Sequence, residues 1–225
     1  MPGKISVYSG SNDGYRSMSG GSWGACRGTA FGASLGGSNT ATGTAYSGSR
    51  ASVSAGRGGT TYFCARSFFE FDTRTIIDLP QKASIDIYRN VFDNSGFRFV
   101  KSTQDGTLSS DDFNEIPGIT PSNSNGSGGD DSRLTVTKYL DDTITSMASG
   151  GFTKLWLNQQ ALVDIQAFGT FKFAMVDWEK DIRDITPTSS TNYTGVFYSE
   201  YSGTSRDPVL TVFHQANSIF FGANF

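Results

Sequence analysis

From Thr61 onward the chain alternates hydrophobic and polar residues with a period of two, the mark of half-buried β-strands. Tyr62–Asp72 sets Phe69 and Phe71 against Glu70 and Asp72, Ala83–Tyr88 places Ile85 and Ile87 on one face, and Phe97–Val100 opposes Phe97 and Phe99 with Arg98. Thr75–Lys82, around Pro80, supplies the turn between the first two. Ser132–Val136 reads as a short strand and Lys154–Asn158 as a firmer one, with Trp156 beside Leu155 and Leu157 assigned to the core. Thr170–Asp177 puts Phe171, Phe173 and Met175 on one face and Lys172 on the other. Gly195–Tyr201 and Val209–His214 close the pattern around a turn containing Gly203 and Pro208. One helix interrupts it: Ala161, Leu162, Ile165 and Phe168 recur near the helical period over Gln159–Phe168, with Asn158 as N-cap and Gly169 as the stop. The pattern predicts an all-β sandwich with one short helix.

Residues 10–61 are dominated by Gly, Ser, Ala and Thr, yet Tyr8, Tyr15, Met18, Trp23, Phe31 and Leu35 punctuate this end of the chain. Apolar residues have no reason to sit in a free linker, so the tract reads as ordered but irregular. Its small residues suit segments lying flat against a neighbour, another subunit included. Ser102–Asp131, interrupted by Pro117 and Pro121, reads as a long surface loop, and Glu179–Thr191 as a second polar loop. Gln215–Phe225 follows the last strand and carries Ile219, Phe220, Phe221 and Phe225. A free apolar tail is a solubility liability, so these residues, with Tyr8 and Tyr15, are the candidate partner contacts.

Composition changes this picture in three ways. Apolar residues make up only 36% of the 225, but aromatics reach 13%, and each buried ring removes roughly 150–250 Å² from water, so a few rings suffice for a core. A net charge of −3 provides no basic field to collect phosphates, which argues against nucleic acid as a main partner. No window approaches the ~20 apolar residues of a membrane span, and the N-terminus lacks the apolar stretch of a signal peptide, so the expectation is a soluble chain made without export and without a membrane partner. Cys26 and Cys64 read as reduced, small hydrophobes, with a bridge between neighbouring strands as the alternative.

Candidate chemistry is sparse, and no cofactor is implied. Asp111-Asp112, Asp130-Asp131 and Asp141-Asp142 lack the ordered spacing of a calcium loop and read as solvated acids. His214, the only histidine, has no nucleophile motif around it. Glu70 with Glu200 or Asp177 could be imagined as a glycosidase pair, but each sits in a strand pattern where an outward acid needs no function. Trp178 ends a strand beside Glu179 and, with Tyr201, is the candidate for an exposed sugar platform.

Four blocks in order carry a resemblance. Arg66-Ser67-Phe68-Phe69-Glu70-Phe71-Asp72-Thr73, then Leu79-Pro80 and the ASIDIY strand, form the first. Leu157-Asn158 with the helix ending Ala167-Phe168-Gly169, the Lys172–Val176 strand with Asp181-Ile182, and Tyr198-Ser199-Glu200 through Asp207-Pro208-Val209-Leu210-Thr211-Val212 complete the set. The series resembles the DNRLRE-type jelly-roll domains, which typically open Arg-Ser-Phe-Leu-x-Phe-Asp-Thr before a Leu/Ile-Pro loop; Asp13-Gly14-Tyr15 and Ser22-Trp23 look like their first strand and loop. The resemblance implies an all-β jelly-roll sandwich over residues 10–214, with a Gly/Ser-rich insertion at 32–60. It leaves an N-terminal extension at 1–9 and an apolar tail at 215–225. Relatives of this kind occur among tailed-phage structural proteins and as appended modules of secreted bacterial proteins, some carbohydrate-binding. The expected function is therefore non-enzymatic: a capsid decoration or cement protein on the virion surface, made in the host cytoplasm, trimeric, with the major capsid protein as partner. A carbohydrate- or receptor-binding module of a phage fibre or tail is the alternative.

Overall fold

The computed structural model describes residues 3–28, 44–53, 60–93, 96–109, 111–119, 135–188, 193–199 and 204–214. Ten strands run β1 (Lys4–Tyr8), β2 (Gly14–Gly20), β3 (Thr44–Val53), β4 (Thr60–Asp72), β5 (Lys82–Asp93), β6 (Phe97–Lys101), β7 (Phe152–Trp156), β8 (Thr170–Asp177), β9 (Tyr193–Phe197) and β10 (Val209–Phe213). A short helix α1 (Trp23–Gly28) follows β2, and α2 (Gln159–Ala167) lies between β7 and β8. In α2 the Asn158 side-chain Oδ1 accepts from the Ala161 N–H, and Gly169 at φ 63° turns the chain out of the helix, both as the sequence indicates.

The strands form an all-β sandwich of antiparallel ladders. One sheet runs β1-β10-β5-β7. The other runs β4-β8-β6, and residues 138–144 extend it through bridges Val100↔Lys138 and Phe97↔Ile144. Along the chain these strands alternate between the two sheets, so residues far apart in sequence become neighbours. Beside this frame, β2 pairs with β4, while β3 and β9 carry a ladder from β4 back to the far half of β5. The register of β5 shifts between Arg89 and Val91, which bends one strand across both sheets.

Odd-numbered residues of β4 point inward. Phe69 and Phe71 join Phe97, Phe99, Phe171 and Phe173 against Ile85, Ile87, Leu155, Leu210 and Val212 of the opposite sheet. The Phe99 and Phe173 rings are 4.3 Å apart, and Ala161, Leu162 and Ile165 of α2 complete this core. Even-numbered residues of β4 face a second layer. Phe68, with Val100, Ala174 and Val176, packs under Leu108, Ile116, Trp178 and Ile182. Cys64 packs with Met18, Trp23, Cys26 and Phe113.

Arg66 pins that layer to the sheet. It is fully buried, and all five guanidinium N–H groups have acceptors: Nε and Nη2 donate to the two Asp181 oxygens at 2.7 and 2.8 Å, Nη1 to Phe113 O and Asn114 Oδ1, and Nη2 also to Arg27 O. Burial pulls the Arg66 guanidinium down, but the charge and hydrogen bonds of Asp181 hold it above its ordinary value. Arg27 in turn donates to Asp181 O, and Arg16 to the carbonyls of Leu108 and Ser109. Three covering segments are thereby held by arginines: α1, the 3-10 turn Asp111–Asn114, and the π-helical turn Trp178–Ile182.

Several expectations are corrected. The described part of the expected 1–9 extension, residues 3–9, contains an edge strand, because β1 pairs with β10 and Ile5 and Val7 pack on the core. Within 10–61, β2, α1 and β3 are regular, and β3 lies inside the presumed insertion; Phe31 and Leu35 fall outside the described residues. The described part of 102–131 is no solvated loop, since Leu108, Phe113 and Ile116 are buried against the sheet. Lys82–Asp93 forms a strand longer than the six residues read from the alternation. Residues 135–137 run beside β6 without forming a strand.

Replacing Arg66 with Met should cost about 3–5 kcal/mol, because Asp181 is left charged and buried, whereas Arg66→Met with Asp181→Leu should recover most of that loss in urea unfolding. An Arg66→Met variant as stable as the parent would remove the hub. A second prediction concerns Gly118, at φ 91°, where an added Cβ would lie 2.7 Å from the Thr135 backbone; at Gly150, φ 69°, nothing lies within 4 Å. Gly150→Ala should cost about 1 kcal/mol from the backbone alone, and Gly118→Ala clearly more, by the same measurement.

Candidate functional site

The two sheets differ in what covers them. The outer face of β4-β8-β6 is sealed by the arginine-held layer, whereas the outer face of β1-β10-β5-β7 carries large exposed side chains. Antiparallel register sets them in rows. Lys4, Phe213 and Lys82 share one row, and Ser6, Thr211, Ser84 and Trp156 the next. Tyr8, Val209, Asp86 and Lys154 form a third, and Tyr88 with Phe152 a fourth.

Trp156 is 45% exposed and its ring centroid lies 6.1 Å from that of Phe213, while Ser84, its cross-strand partner, is buried. The Lys82 ammonium sits 3.5 Å from the Trp156 ring centroid and that of Lys154 at 5.8 Å, so cations rest against the indole. Lys154 also pairs with Asp86 at 3.1 Å. At the other end Tyr88 meets Phe152 edge-on at 5.2 Å and Phe197 at 5.7 Å, and the Arg206 guanidinium lies 5.1 Å from the Tyr88 ring. Phe152 and Tyr8 are themselves exposed. This surface is aromatic, carries both signs of charge, with Asp141 and Asp142 lining a concavity beside Lys154 and Trp156, and is built on paired strands, so it is held rigidly enough to meet a partner without first being ordered.

A second concavity, of about 420 Å³, opens where α2 meets β6 and β8 and is lined by Lys101, Ser102, Thr103, Tyr139, Phe168, Thr170, Phe171 and Lys172. Its ionisable groups are engaged with each other. Asp164, nearly buried, accepts from Lys101 Nζ at 3.0 Å, the Tyr139 hydroxyl at 2.5 Å and Gln160 Nε2 at 3.0 Å. Burial and the bond to Asp164 raise the Tyr139 phenol far above its ordinary value. Lys172 Nζ donates to Gln104 O at 2.6 Å. The arrangement ties the helix to the sheet.

The residues singled out by sequence are scattered. Trp178 is 1% exposed, between Arg98 and Lys138 and under Ile182, so it offers no sugar platform; the π-helical turn that begins at this residue folds it back over β8. Tyr8 lies on the open face and Tyr15 is half-buried on β2. Tyr201, Glu200, Ile219, Phe220, Phe221 and Phe225 lie outside the described residues. Asp177 is buried and caps the turn through Lys180 N–H, while Glu70 accepts from Asn12 at 2.6 Å. Asp112 is buried, accepting from the N–H groups of Asp105 and Ser109, so it is not a solvated acid; Asp130-Asp131 lie outside the described residues. Among the described residues no three His, Cys, Asp or Glu side chains are placed to hold a metal ion. Cys26 and Cys64 are buried and not bridged, the Cys26 thiol donates to Tyr62 O, and burial with the nearby Asp181 charge pushes the Cys64 thiol well up.

Trp156 corrects the expectation that it belongs to the core. Leu155 and Leu157 point inward, which sends Trp156 outward with Phe152 and Lys154. Strict alternation in FTKLW carries that signal, and the apolar neighbours on either side obscured it. No protein-family profile and no curated protein sequence matches this chain.

Proposed function

We propose that the chain is a non-enzymatic virion structural protein, a decoration or cement protein of a phage head that binds between major capsid protein subunits, as a homotrimer, and stabilises the assembled shell. The observation that carries this reading is the open aromatic face of β1-β10-β5-β7 on a sandwich whose other sheet is covered. The resemblance to phage jelly-roll domains supports it. A ligand that engages joints present only in the assembled shell stabilises that state by mass action, and a standard protein interface needs about 800 Å² from each partner, a size to which a four-stranded face is suited.

A carbohydrate-binding role is the second reading, and one observation favours it: Trp156 is exposed on a flat strand face beside the Asp86 carboxylate. Against it, Lys82 already stands over the indole at 3.5 Å, where a sugar ring would have to stack.

Heads assembled without this protein should take up the purified chain and rupture at a higher temperature than undecorated heads. Trp156→Ala with Phe152→Ala should raise the Kd for heads about tenfold or more, equivalent to roughly 1.4 kcal/mol. Heads that neither bind the chain nor gain stability would dismiss the decoration role, and binding on a glycan array at millimolar sugar would favour the second reading.

A further inference from the structure

We draw no further inference here: the strongest candidate, the open aromatic face of β1-β10-β5-β7 around Trp156, belongs to the site already described, its Lys154 is paired with Asp86 beside Asp141 and Asp142, and nothing in the structure shows what covers it.

Discussion

The buried ion pair between Arg66 and Asp181 is the constraint on which the rest of this architecture depends. An arginine in the middle of a sheet strand, with no exposure to water, is tolerated only where each of its donors finds an acceptor. Arg66 meets that condition by drawing in three segments that are remote in sequence: Phe113 and Asn114, the end of α1, and the turn bearing Asp181. None of these segments has a regular ladder to hold it in place. Their shared attachment to one guanidinium supplies the geometry that strand pairing gives elsewhere.

That attachment makes the sandwich asymmetric. The β4 side becomes three layers deep, with an aromatic core beneath the sheet and a mixed core of Phe68, Val176, Trp178 and Ile182 above it. The β5 side keeps two layers, and its outer face presents Trp156, Phe152, Tyr8 and the lysines. Apolar surface on a sheet can be covered by the chain itself or by a partner. The proposed decoration role assigns the second course to the β1-β10-β5-β7 face.

Period-two alternation made much of the frame legible. Phe69 with Phe71, Ile85 with Ile87, and Phe171 with Phe173 all point into the core they suggest, and Asn158 and Gly169 bound the helix as their chemistry indicates. The covering layer was not legible. Leu108, Phe113 and Ile116 are isolated apolar residues in a polar stretch, and an isolated residue has no period to reveal which surface it meets. Arg66 and Asp181 both stand in the motif blocks that carry the resemblance, yet their pairing spans 115 residues and is fixed by how the strands between them are arranged in space. The site was partly legible: Tyr8 was singled out, Trp156 was sent to the wrong face, and Trp178 was taken as exposed although a buried turn encloses it.

Under the proposed decoration role the covered sheet is the scaffold and the open sheet the working surface. Direct imaging of decorated heads tests that claim, by showing which side of the sandwich lies against the shell. The expected density has Trp156, Phe152 and Tyr8 facing the capsid lattice and the layer held by Arg66 facing solvent. Particles in which the arginine-held layer meets the shell, leaving Trp156 and its lysines exposed to water, would contradict it.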